Sequence, residues 1–166
     1  MIWGLSTSTF TLVHVLLSLV GIVAGLVVMF GLVAEKRLDG WTVVFLATTV
    51  ATSVTGFGFP FDHLLPSHKV GIISLVVLAA AILARYAFRL AGAWRPVYVV
   101  CAAVALYLNA FVGVVQAFQK VPALTKLAPK QTEPPFVVTQ LVVLVLFIVL
   151  TIAAAKRFRG EPVRMA

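Results

Sequence analysis

The run FTLVHVLLSLVGIVAGLVVMFGLV, residues 10–33, decides the structural class of this protein. It contains no Asp, Glu, Lys or Arg, and a helix of this length crosses the hydrocarbon core of a bilayer. Backbone groups at that depth have no water to bond, so the run is predicted to be a transmembrane helix. Four further apolar runs follow it, at residues 41–59, 70–90, 97–118 and 136–155. We therefore expect an all-α, polytopic membrane helix bundle of five transmembrane helices, forming one integral membrane domain over residues 1–166.

The composition supports a membrane protein and excludes several other classes. Hydrophobic residues make up 62% of the chain and charged residues 11%, and the mean hydropathy is +1.12. The net charge of +8 indicates the lipid bilayer rather than a nucleic acid as partner, because membrane insertion places cations beside apolar runs. The lone Cys101 excludes thiol and disulfide exchange enzymes that use paired cysteines.

The basic residues predict the orientation of the five helices. Cytoplasmic ends of membrane helices are enriched in Lys and Arg, and with a cytoplasmic C-terminus the inner side carries nine basic residues against four outside. We therefore expect an N-out/C-in, multi-pass protein of the bacterial inner membrane, with Arg85 and Arg89 reaching from α-helical positions to the inner surface. The inner residues are Lys36, Arg37, Arg85, Arg89, Arg95, Lys156, Arg157, Arg159 and Arg164, and the outer ones are Lys69, Lys120, Lys126 and Lys130.

Polar residues within the apolar runs gather toward the predicted outer side. Asn109 gives the strongest signal, because burying an unbonded amide costs roughly 2 to 7 kcal/mol, and Gln116 follows one heptad later on nearly the same face. These residues predict a non-catalytic, periplasm-facing pocket for a small apolar or amphipathic ligand. The alternative is that the same side chains only bridge helices. The predicted ligand-binding residues are Asn109, Gln116, Gln140, His14, Thr52 and Thr55.

Histidine and aspartate residues suggest a second function, that of a metal- or haem-dependent membrane oxidoreductase. His14, Asp62, His63 and His68 could supply three nitrogens and one oxygen to a metal ion. Only His14 lies within an apolar run, which does not fit a haem held by two histidines on facing helices. Phosphate-binding and dinucleotide glycine patterns, nucleophile elbows and metalloprotease motifs are absent from the sequence. The sequence therefore specifies no cofactor and no catalytic residue, and it favours a protein that is not an enzyme.

Small residues suggest how the helices associate. Gly21 and Gly25 have the GxxxG spacing that lets two membrane helices approach closely. This face predicts either a contact inside the bundle or a homo-oligomer through Gly21 and Gly25. It also leaves open a third function, that of an accessory or scaffold subunit for other membrane proteins. The outer link at residues 119–135 contains four prolines and is predicted to be a lid or a stiff spacer.

Three stretches carry a resemblance to a known group of proteins. They are TSVTGFGFPF at 52–61, GIISLVVLAAAILARYAF at 71–88 and LYLNAFVGVVQAFQKVPALTKLAPKQTEPPF at 106–136. They resemble an uncharacterised family of small bacterial inner-membrane proteins, and the likeness extends over about residues 12–159. The resemblance implies a multi-pass inner-membrane fold, and it assigns no activity, cofactor or site residue.

Overall fold

The structure is a computed structural model that describes residues 1–60 and 66–159. Within these residues it is all-helical, as the sequence predicts. Beyond Ile82 the third helix continues into a π-helical turn, Leu83–Ala87. The α-helices are α1 (Thr7–Val33), α2 (Asp39–Gly56), α3 (Pro66–Ile82), α4 (Trp94–Lys120), α5 (Pro122–Leu127) and α6 (Pro134–Arg157).

In the described part of the chain, four helical segments are long and apolar enough to cross a membrane: Thr7–Val33, Pro66–Ala87, Trp94–Lys120 and Pro134–Arg157. Four such helices in one chain are typical of a multi-pass membrane protein. Helix α2 corresponds to the second predicted span, at residues 41–59, which would be the fifth membrane helix of the bundle, and it is not among them. Several Thr and Ser residues lower its hydropathy, so the fifth span stays a prediction.

The long helices form a bundle in which α4 has a central position. Helix α1 packs along α2, and α4 contacts α1, α3 and α6. Helix α6 lies at the periphery, where Ala154 is its one buried residue. Its exposed Val, Leu and Ile side chains form an apolar surface, as expected of a helix that faces lipid.

Tight packing is concentrated at one end of the bundle, which we call the packed half: residues 24–32 of α1, 42–49 of α2, 78–82 of α3, 83–85 of the π-helical turn and 98–106 of α4. Met29, Phe45, Leu78 and Tyr98 are fully buried there. Gly25 explains how the backbones come so close. A Cβ at this position would lie 2.5 Å from Leu106 Cδ1 and 2.9 Å from the Phe45 ring, so only glycine fits without displacing its neighbours.

Arg85 corrects an expectation from the sequence. It does not extend to the surface but is buried, with 4% of its side chain exposed. Its guanidinium forms an ion pair with Asp39 at the start of α2, and it lies 5.6 Å from the Tyr86 ring centroid and 5.4 Å from that of Tyr98. A buried charge needs a partner, and Asp39 supplies it from a neighbouring helix.

The proline-containing link between α4 and α6 has structure of its own. It contains α5, and the Glu133 carboxylate accepts hydrogen bonds from the backbone N–H groups of Lys130 at 3.1 Å and Thr132 at 3.0 Å. Gln131 Nε2 donates to the Val115 carbonyl of α4 at 2.9 Å. These bonds attach the link to the end of α4.

Candidate functional site

A cavity of about 600 Å³ lies between α1, α2, α3 and α4, at the end of the bundle opposite the packed half. We call this region the cavity half: residues 11–22, 52–60, 67–74 and 108–120. Its volume is within the range of small-molecule sites. Its apolar wall includes Val15, Leu19, Ile22, Leu108 and Val112.

The deep end of the cavity is formed by a hydrogen-bonded pair between α1 and α4. Ser18 Oγ donates to Asn109 Oδ1 at 2.7 Å, and Asn109 Nδ2 donates to the Ser18 carbonyl at 3.3 Å. Asn109 is 8% exposed, so this pair satisfies an amide that would otherwise be buried without a partner. A Cβ on Gly21 would come within 3.1 Å of Asn109 Nδ2 and 3.0 Å of Thr49 Oγ1. Glycine at 21 therefore lets α1 approach both α2 and α4.

Two imidazoles line the cavity, and each packs against a phenylalanine near the end of α2. His14 Nδ1 is hydrogen-bonded to Thr55 Oγ1 at 2.8 Å, and its ring meets Phe59 edge-on at 5.3 Å. His68 is buried and stacks on Phe57, with 5.4 Å between centroids. The second ring nitrogen of His14, Nε2, has no hydrogen-bond partner within residues 1–60 and 66–159.

Three hydroxyl groups on the α2 and α3 side, those of Thr52, Ser53 and Ser74, are already bonded within the protein. Thr52 Oγ1 donates to the Thr48 carbonyl at 2.9 Å. Ser53 Oγ lies 3.0 Å from the Thr49 carbonyl and 3.1 Å from Ser74 Oγ. These bonds limit what the hydroxyls can offer to a ligand.

The cavity brings together some of the predicted site residues but not all of them. His14, Thr52, His68, Asn109 and Gln116 line it, and Thr55 lies behind His14 as its hydrogen-bond partner. Gln140 of α6 is not part of the lining. Its Nε2 donates to the Phe111 carbonyl of α4 at 3.2 Å.

Six polar lining residues were not among the predicted site residues: Thr11, Ser18, Ser53, Ser67, Ser74 and Lys120. Ser18 carries a usable signal, since it follows His14 by four positions and so shares its helix face. For Ser53 and Ser74 no such signal exists, because serine in a membrane helix commonly bonds to its own backbone.

The predicted metal ligands lie partly outside the described residues. His14 and His68 line the same cavity, whereas Asp62 and His63 fall between residues 60 and 66. Among the residues that are described, no group of three or more His, Cys, Asp or Glu side chains could hold a metal ion. A metal or haem site stays a prediction.

The chain was compared with protein-family models, curated proteins and solved structures, and it matches none of them. The chemistry of the cavity is therefore taken from its own lining. That lining combines an apolar wall with two imidazoles, two side-chain amides, several hydroxyls and one ammonium group. Concave, mostly apolar sites with a few convergent polar groups are typical of small-molecule binding.

Proposed function

We propose that this protein is an integral inner-membrane protein that binds a small apolar or amphipathic ligand in the cavity half, without catalysing a reaction. The observation that carries the proposal is the cavity itself, about 600 Å³ in volume, between four helices. The packed half contains enough tightly packed side chains to hold the bundle together. The cavity at the other end therefore lies beside a closely packed core.

We also propose that α2 is a fifth span and that the cavity faces the periplasm. A helix of 18 residues is about 27 Å long, close to the thickness of the hydrocarbon core. The hydroxyls of Thr42, Thr48 and Thr52 donate to their own backbone carbonyls, which makes α2 more compatible with lipid than its composition implies. The excess of Lys and Arg at the opposite end supports the N-out/C-in orientation.

Native mass spectrometry of the purified protein tests the proposal. We expect the wild type to carry a bound organic molecule that leaves at higher collision energy. Gly113→Leu should abolish this adduct. Gly113 lines the cavity, and a Cβ built at this position would lie 3.5 Å from Ile22 Cδ1, so a leucine side chain there would occupy the cavity. The matched control is Ala110→Leu, on the same helix but outside the lining, and it should retain the adduct.

Two results would contradict the proposal. One is a wild-type protein that carries no adduct and gains none when incubated with an extract of membrane lipids and metabolites. The other is equal retention by both variants, which would place the bound molecule elsewhere. A mass increment of a metal ion or haem would instead support the oxidoreductase hypothesis, which the shared position of His14 and His68 favours.

A further inference from the structure

The cavity has an uneven distribution of charge. Lys120 is the one Lys or Arg among the described lining residues, and none of those residues is Asp or Glu. The Lys120 ammonium has no salt-bridge partner within residues 1–60 and 66–159. A cationic site without a carboxylate attracts anions and disfavours cations.

The polar groups that remain available to a ligand lie at the outer end. Deep in the cavity, Ser18 and Asn109 bond to each other, and Ser53 bonds to Ser74. A polar ligand group placed there would have to replace bonds that already exist. Toward the outer end, Gln116 and Lys120 are exposed and form no hydrogen bond within the described residues.

The apolar wall extends inward from these groups. Along α1 the lining includes Val15, Leu19 and Ile22, and α4 contributes Leu108 and Val112. Residues 11–22 of α1 cover about 16 Å at 1.5 Å per residue. A single medium-length acyl chain fits this depth, with its end between Ile22 and Leu108.

From this arrangement we propose, on the basis of the proposed function, that the ligand is an amphipathic anion. Its acidic head, a carboxylate or the phosphate of a lipid, lies against Lys120 and Gln116. Its apolar chain lies along Val15, Leu19 and Ile22. His14 Nε2 is the next available polar group inward and contacts the head or the first atoms of the chain.

Competition binding in nanodiscs of neutral phosphatidylcholine tests the charge of the head. The probe is radiolabelled decanoate, and the competitors are unlabelled decanoate, decanol and decyltrimethylammonium, which share one chain and differ in charge. We expect decanoate to compete at a concentration about tenfold lower than decanol, because an ion pair with an exposed lysine adds only modestly to the binding affinity. Decyltrimethylammonium should be the weakest competitor.

A lysine pair identifies the residue responsible. Lys120→Gln should lower the affinity for decanoate by about tenfold and leave that for decanol unchanged. Lys126→Gln removes an exposed cation of α5 outside the lining and should change neither affinity. Dioctanoylphosphatidylglycerol distinguishes the two sources of the anion: stronger competition than decanoate indicates a lipid, and weaker competition indicates a free acid.

Equal competition by decanoate and decanol, or a Lys120→Gln variant with unchanged preference, would overturn the anionic head. If Gly113→Leu still abolishes the binding of both compounds, the cavity remains a binding site and only the head group is wrong. If Gly113→Leu leaves decanoate and decanol bound as before, the proposed function itself fails.

Discussion

The packed half and the cavity half are formed largely by the same four helices, yet two glycines of the cavity half have much more space around them than Gly25 of the packed half. At Gly25 in the packed half, the side chains of Leu106 and Phe45 fill the space that a Cβ would need. In the cavity half, a Cβ on Gly113 would meet nothing closer than Ile22 at 3.5 Å, and one on Gly56 nothing closer than His14 at 3.8 Å. Gly25 therefore lies where helices touch, whereas Gly113 and Gly56 lie where space is left between them; Gly21, at the deep end of the cavity, still brings α1 close to α2 and α4.

The two halves also differ in whether their charged side chains are paired. In the packed half, the buried Arg85 is paired with Asp39 and flanked by two tyrosine rings. In the cavity half, Lys120 has no acidic partner within the described residues. Paired charge at one end joins two helices, whereas at the other end a charge without an acidic partner among the described residues is available to a ligand.

The comparison of glycines predicts the largest effect on stability. Gly25→Ala should reduce the free energy of unfolding by about 2 kcal/mol, because the added methyl group overpacks a filled site. Gly113→Ala should change it by less than about 0.5 kcal/mol, since the new methyl group makes ordinary contacts. Unfolding in mixed micelles with increasing dodecyl sulfate measures both. Equal losses would show that the two halves do not differ in packing.

A smaller effect is expected at the boundary between the halves, where Ser18 and Asn109 meet. A double-mutant cycle with Ser18→Ala and Asn109→Leu should give a coupling energy of about 1 kcal/mol, in the range of hydrogen bonds between membrane helices. The control cycle combines Asn109→Leu with Thr151→Val, whose hydroxyl bonds to the Phe147 carbonyl of its own helix, and should be additive. A coupling near zero for Ser18 and Asn109 would mean that their bond does not hold α1 to α4.

Much of the helical architecture follows from the sequence, because apolar length alone predicts a membrane helix. The apolar run at 10–33 lies within the helix Thr7–Val33, and the run at 136–155 lies within the helix Pro134–Arg157. The second run was predicted to continue to residue 59, but α2 ends at Gly56, several residues before Pro60. The burial of Arg85 was not predictable, because it depends on Asp39 from a different helix.

The site was less accessible to sequence reasoning than the helices. Depth along the membrane normal can be read from position in a run, and it predicted a common level for His14 and Asn109. The sequence does not show as directly which neighbouring helix each face of a helix contacts. Gln140 contacts the back of α4 through Phe111, and Ser18 faces the cavity, because packing of all the helices fixes these contacts.

Cysteine accessibility tests the difference between the two halves most directly. The native cysteine is first removed by Cys101→Ala. Two variants of this protein, Val112→Cys in the cavity half and Ala102→Cys in the packed half, are then treated with an anionic, membrane-impermeant methanethiosulfonate reagent. Val112 lines the cavity and Ala102 is fully buried. We predict that the reagent, added on the side that we propose to be periplasmic, modifies the cysteine at 112 and leaves that at 102 unmodified. Equal modification of the two cysteines, or modification at 102 alone, would contradict the claim that the cavity half is accessible and the packed half is not.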